Sequence, residues 1–255
     1  MAARQAAASD DAILGGRLML RQPLRGHRVG HDAVFLAAAV AAAAGDACVD
    51  LGAGVGASGL ALARRVEGAT VTLVEIDAEL TALAAANAER NALAARVRAV
   101  CLDVEAPAAA FAAAALPAAS AAHVLMNSPF NAAQHPSPDR ARRTAHVASE
   151  ATLRAWLGTA ARLLPSGGDV TLIWRADGLA DVLAALEAGF GAVTVLPLHP
   201  KPAAAAIRVL VRAVKGSGAP LAMLPGLVLA DTDGKPTAEA EAVLRGNAAL
   251  VMTKS

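Results

Sequence analysis

One stretch limits the possible folds of this chain more than any other: Asp50-Leu51-Gly52-Ala53-Gly54-Val55-Gly56-Ala57-Ser58-Gly59. It follows an apolar run at 47–51 and opens an Ala/Leu-rich stretch of helical composition. A strand that turns through glycines into a helix is a building unit of parallel α/β sheets. Glycines admit positive φ and let a ligand approach the backbone, while the first helical N–H groups stay free. The pattern then continues. Short apolar or β-branched runs at 70–75, 97–102, 122–127, 168–174, 192–197 and 206–213 alternate with helical stretches near 56–66, 78–91, 145–163 and 177–188. An earlier helix is expected at 33–43, with Asp32 as its N-cap. The alternation predicts a doubly wound, mostly parallel α/β sheet with an antiparallel edge strand made by the last pair. It divides the chain into an N-terminal segment (1–45), a core (46–215) and a tail (216–255) that packs on the core.

Composition narrows the function classes. Of 255 residues 70 are alanine, so the positive mean hydropathy reflects small side chains rather than a lipid-facing segment. The longest stretch without Asp, Glu, Lys or Arg, 106–138, is interrupted by Pro107, Pro117, Asn127 and His135, which argues against a membrane span. The first residues lack a basic segment followed by an apolar core, so neither a signal peptide nor a membrane is expected, and the expected location is the cytoplasm. Cys48 and Cys101 are the only cysteines and both fall in strand-like runs, so no disulfide framework and no metal site is expected. Net charge is +1, yet cations gather at Arg17, Arg21, Arg25 and Arg28, at Arg140, Arg142 and Arg143, and at Lys201, Arg208, Arg212 and Lys215. These are either solvated faces or a phosphate-binding footprint.

The glycine loop has two nucleotide readings. Gly54-x-Gly56-x-x-Gly59 matches a dinucleotide fingerprint, which would seat a pyrophosphate at the helix N-terminus. Asp50 with Gly52-x-Gly54-x-Gly56 instead resembles the first motif of class I S-adenosylmethionine-dependent methyltransferases. That ligand carries a sulfonium and an amino acid, beside which an acid is useful. Glu75 ends the strand after the loop, where a carboxylate can bond both ribose hydroxyls of either ligand. Asp103 ends the next strand, and Asp77 reads as a helix cap.

Asn127-Ser128-Pro129-Phe130, at the end of the fourth core strand, separates the two readings. Residues just past the carboxyl ends of such strands line the ligand crevice. The run resembles the Asn-Pro-Pro-Phe/Tyr motif of methyltransferases acting on an amide or exocyclic amine nitrogen, with Ser128 in place of the first proline. An amine conjugated with a ring is a poor nucleophile. Acceptors aimed at its two N–H bonds stabilise the positive charge that builds during attack, and Asn127 Oδ1 with the residue 128 carbonyl can serve. Pro129 biases residue 128 toward extended backbone, and Phe130 can stack on a base. A dehydrogenase leaves this run without a task.

The resemblance extends along nearly the whole chain. The segment Gln22-Pro23-Leu24-Arg25-Gly26-His27-Arg28-Val29-Gly30-His31-Asp32 is similar to the N-terminal part of bacterial tRNA1(Val) adenine-N6-methyltransferases, with His27 where that family often has Tyr. Leu163–Gly168, Leu172–Asp177, Pro197–Pro200, the basic strand Arg208–Lys215 and Asp233–Ala240 are similar as well. The resemblance implies a Rossmann-like class I methyltransferase that uses S-adenosyl-L-methionine to methylate N6 of adenine 37 in a valine tRNA. It implies that the N-terminal segment covers the donor. It further implies donor contacts from Arg28, Gly30, Asp32, Asp50, Gly52, Ala53, Gly54, Gly56, Glu75, Ile76, Asp103, Val104 and Asn127, and catalysis by Asn127, Ser128, Pro129 and Phe130. The tRNA partner would meet Arg25, Arg140, Arg142, Arg143, Lys201 and Arg208. Other acceptors remain open at this point: another RNA or DNA adenine, a protein glutamine, or a donor- and RNA-binding protein without turnover.

Overall fold

The computed structural model describes residues 8–24, 29–127 and 139–253, with the backbone alone over 139–150. In chain order the strands are β1 (Ala8–Ile13), β2 (Leu18–Pro23), β3 (Ala47–Leu51), β4 (Thr70–Glu75), β5 (Val97–Cys101), β6 (His123–Met126), β7 (Asp169–Arg175), β8 (Phe190–His199), β9 (Arg208–Lys215), β10 (Ala222–Met223) and β11 (Leu227–Val228). The helices are α1 (His31–Ala39), α2 (Ala57–Arg65), α3 (Ala78–Arg90), α4 (Ala108–Ala113), α5 (Asp139–Leu163), α6 (Leu179–Leu186) and α7 (Ala238–Leu244).

The large sheet runs β10-β8-β9-β7-β6-β3-β4-β5, with β11 also paired to β8. Strands β7, β6, β3, β4 and β5 are mutually parallel. The reversed strand is β9, and it lies between β7 and β8 rather than at the edge, because the chain leaving β8 folds back into the gap beside β7. The tail does more than pack on the core: β10 and β11 extend the sheet in parallel with β8.

Alternation along the strands fills two apolar layers. Leu73, Leu125, Ile173 and Leu210 point toward α1, α2 and α3, whereas Val49, Leu51, Met126, Leu172 and Trp174 point toward α4, α5 and α6. Alanine suits this arrangement. From Ala33 onward every residue of α1 is buried, and four of those seven are alanines, whose small side chains let the helix sit close to its neighbours.

Helix starts follow local chemistry. Asp77 accepts from Glu79 N and Leu80 N at 2.8 and 3.0 Å to begin α3, as its sequence position suggests. Asp32 is not the cap of α1. Gly30 holds that position without a side-chain bond, and Asp32 lies in the first turn, where Arg208 Nε reaches its Oδ2 at 2.9 Å.

At the amino ends of the strands, His123 stands between two carboxylates, with Nδ1 3.1 Å from Asp169 Oδ2 and Nε2 3.2 Å from Asp46 Oδ2. Arg212 Nη2 meets the same Asp169 oxygen at 2.8 Å. Burial opposes the charged imidazole, but the bonds and charges of Asp169 and Asp46 outweigh it and hold the His123 pKa above its ordinary 6.5. The native state therefore keeps a proton that the unfolded chain has released. This contribution to stability is complete below about pH 6.5 and disappears as pH rises through the native value. His123→Asn is expected to cost about 1–3 kcal/mol at pH 6 and much less at pH 9. Urea unfolding of both proteins at the two pH values measures it. An equal cost at both would show that folding does not raise the imidazole's pKa.

Candidate active site at the carboxyl rim of the sheet

Strand register gathers the predicted site residues. Leu51 pairs with Val74 on one side and Met126 on the other, and Glu75 pairs with Cys101. Gly52, Glu75 and Asn127 are the next residues along these strands and Asp103 follows Cys101 by two, so all four stand on one rim, beside the glycine loop.

Three carboxylates shape the loop and its surroundings. Asp50 is buried beneath it, and its Oδ2 accepts from Gly59 N in the first turn of α2 at 2.8 Å. Burial pushes the Asp50 pKa up to about 7, with the Glu75 charge adding to the rise and the Gly59 N–H opposing it. Its carboxylate thus anchors the helix from below. Glu75 accepts from Gly54 N through Oε2 at 2.8 Å and from Asp77 N through Oε1 at 3.0 Å. Each oxygen keeps a further lone pair for a hydroxyl. Asp103 is exposed, and its Oδ1 accepts from Glu105 N at 2.8 Å, which fixes the turn after β5.

Apolar contacts complete the rim. Ile76 is 63% exposed at the tip of β4, a flat surface suited to a base. Val104 is buried and its carbonyl accepts from Thr159 Oγ1 at 2.8 Å. Gly52 and Ala53 donate their N–H groups to the Val74 carbonyl at 2.9 and 3.0 Å, which pulls the loop over the end of β4. Gly52 has φ +70°, and a Cβ there would lie 2.4 Å from the ring of Trp156 on α5. Open space surrounds the Cβ positions of Gly54 and Gly30, and Gly56 caps α2. Asn127 is half-buried. Trp156 was not among the residues expected from sequence. Its signal was the apolar stripe Leu153, Leu157 and Ala160 that runs beside it on one helix.

The cations divide. Arg21 pairs with Asp10, Arg212 with Asp169 and Arg208 with Asp32, and Lys215 Nζ donates to the Leu164 carbonyl. Lys201 is exposed, with Nζ 3.4 Å from the Thr232 carbonyl. Arg25, Arg28, Ser128, Pro129 and Phe130 lie outside the described residues, as do the side chains of Arg140, Arg142 and Arg143.

A doubly wound sheet with one reversed strand beside its end, a glycine loop after β3 and an acid at the tip of β4 define a Rossmann-like methyltransferase. A family model described as the methyltransferase small domain matches residues 27–201. A predicted O-methyltransferase from Agrobacterium tumefaciens superposes with a TM-score of 0.74 at 33% identity, over 86% of this chain and 98% of that one. A SAM-dependent O-methyltransferase from Thermotoga maritima gives 0.55 at 19% identity, over 76% and 69% of the two chains. TrmN from Thermus thermophilus gives 0.51 at 20%, over 68% of this chain and 45% of that one. No curated protein matches the chain. The chain belongs to the methyltransferase small domain family, and its cofactor is S-adenosyl-L-methionine.

The residues present fit that cofactor. The open backbone at Gly54 and Gly30 leaves room, the Glu75 oxygens can take ribose hydroxyls and Ile76 offers an apolar surface to the adenine. Gly52→Ala tests the loop. Alanine at positive φ costs about 1–2 kcal/mol, and its methyl group would collide with Trp156. Donor affinity measured by calorimetry is expected to fall about tenfold or more. Adding Trp156→Ala should recover part of the lost affinity by removing the collision alone. No recovery would mean that Trp156 does not set the loop.

Proposed function

We propose that the chain methylates the exocyclic N6 amine of an adenine in tRNA, adenine 37 of a valine tRNA, in the cytoplasm. The observation that carries this reading is Asn127, half-buried on the rim at the end of β6, whose neighbour Met126 pairs with Leu51 just before the glycine loop. In the sequence it continues as Ser128-Pro129-Phe130.

When bound, S-adenosylmethionine supplies a methyl group made electrophilic by its sulfonium. Asn127 Oδ1 and the carbonyl of residue 128 accept the two N–H bonds of the amine, draw it toward tetrahedral geometry and stabilise the charge it gains. Phe130 stacks on the adenine, a contact of about 1–3 kcal/mol. The surplus proton leaves the nitrogen for water, since an ammonium conjugated with a ring is acidic, so no strong base is required. Glu75, Gly52, Ala53, Gly54, Ile76, Asp103 and Val104 hold the donor, with Arg28, Gly30 and Asp32 over it. Asp50 and Gly56 seat the loop. Lys201, with Arg25, Arg140, Arg142 and Arg143, takes phosphates, and Arg208 joins them only by sharing its charge with Asp32. An anticodon-loop adenine is already unpaired, which lowers the cost of presenting it.

The Agrobacterium relative favours a second reading, a hydroxyl acceptor. A hydroxyl must lose its proton to a base as it reacts. Among the described carboxylates of the rim, Asp50 lies beneath the loop and bonds Gly59 N, and the free lone pairs of Glu75 are assigned to the ribose of the donor. Nitrogen, which needs no strong base, is therefore the better supported acceptor.

The test incubates the chain with labelled S-adenosylmethionine and unmodified total tRNA, with duplex DNA and peptides in parallel, followed by mass spectrometry of the digest. Label in N6-methyladenosine from tRNA is expected. Label in a ribose 2′-O-methyl group or in a peptide glutamine would overturn the proposal. Asn127→Ala should lower kcat about 100- to 1,000-fold and leave donor affinity within about twofold. Parent-like turnover by that variant would remove the nitrogen clamp.

A further inference from the structure

Two asparagines on α3 and just beyond it, Asn87 and Asn91, are buried and fully engaged. Asn87 Oδ1 accepts from Arg21 N at 2.7 Å, and its Nδ2 donates to the Arg21 carbonyl at 3.0 Å. Asn91 treats Met19 the same way, at 2.9 Å for the N–H and 2.8 Å for the carbonyl. A primary amide carries the same donor and acceptor as a peptide group. Two residues of strand rise about 6.8 Å and four residues of helix about 6.0 Å, so amides spaced four apart on a helix match alternate residues of a strand. The two side chains thus stand in for a neighbouring strand along β2.

Each asparagine has a second N–H to place. Asn91 spends it on the Asn87 carbonyl at 2.7 Å, within its own helix. Asn87 spends it on the Val55 carbonyl, 3.0 Å away, inside the glycine loop. Val55 sits between Gly54, whose N–H is held by Glu75, and Gly56, which caps α2. Only one orientation of the Asn87 amide satisfies Arg21 N and both carbonyls, so β2 fixes the group that fixes the loop.

We propose that Asn87 is a positioning residue for the methyl donor: it locks the Val55 peptide, and with it the glycine loop, against the antiparallel hairpin that β1 and β2 form. The proposal rests on the glycine loop being the donor site.

The test compares full-length Asn87→Asp, Asn87→Ser and Asn91→Asp with the parent, reading the dissociation constant for S-adenosylmethionine by calorimetry beside the melting temperature. Asn87→Asp keeps the size, loses both donors and turns an oxygen toward two carbonyls. Its donor Kd is expected to rise about tenfold or more. With the acceptor in hand, its KM for the donor should rise while kcat at saturating donor stays within about threefold. Asn91→Asp breaks the other hairpin contact without touching the loop, so its Kd should stay within about twofold despite a similar loss of melting temperature. If Asn87→Asp fails to fold, Asn87→Ser carries the same expectation. Equal donor affinities in the Asn87 and Asn91 variants would overturn the proposal and leave Asn87 a purely structural residue. A parent chain that does not bind the donor at all would overturn the donor-site reading and the proposal with it, a result distinct from equal affinities.

Discussion

The depth at which the first turn of α2 is pressed onto β4 sets everything on the rim. A Cβ on Gly59 would lie 2.3 Å from Leu73 Cδ2 and 3.0 Å from Val71 Cγ1, so only glycine lets the helix come this close. That closeness brings the Gly59 N–H onto Asp50, and it places the loop's backbone within reach of Glu75. A helix held further out would leave Asp50 buried without a partner, an expensive outcome for a carboxylate. The loop is then tied from three sides by three different strands or helices: Asp50 below, Glu75 beside and Asn87 behind. Preorganisation of this kind matters because a loop that had to order itself on binding would subtract that cost from donor affinity.

Charge is distributed with a similar economy. Counting along the chain, the cations between 12 and 31 have no acid among them, which suggests a bare basic face. In the folded chain Asp10, across the hairpin from Arg21, reaches that arginine and Arg90 together. Asp169 takes Arg212, and Asp32 takes Arg208, by contacts between residues far apart in sequence. Electrostatic attraction for a polyanion must therefore come from cations such as Lys201 that extend into solvent, since paired guanidinium groups present a much weaker field.

Those same examples show what the sequence made legible. The strands 47–51 and 70–75 were expected at the bounds at which they are found, because a parallel strand covered on both faces reads as a short run dominated by apolar and β-branched residues. The loop and its acids followed from their positions at strand ends. The hairpin of β1 and β2 was not anticipated, because β2 pairs on its outer side with side-chain amides rather than with a strand, and no periodicity announces that. Strands β10 and β11 have two residues each, too short for any pattern. The reversed strand was expected at the edge and lies inside, since the order of strands depends on where a returning chain finds a gap. Trp156 escaped because its role comes from the absence of a side chain on Gly52, a residue more than a hundred positions earlier.

The two ends of the sheet have opposite electrostatic characters, and this bears on the chemistry. At the amino ends His123, Asp46, Asp169 and Arg212 neutralise one another in a closed set. At the carboxyl ends the carboxylates Asp50 and Glu75 face backbone N–H groups, with no lysine or arginine bonded to either among the described residues. Burial raises the Asp50 pKa to about 7, so the charge at this rim is chiefly that of Glu75, which suits a donor that carries a cationic sulfonium and an amino group. In the proposed reaction Asn127 would extend the logic one strand over, since an uncharged acceptor can stabilise a developing ammonium without drawing the donor's own cation out of place.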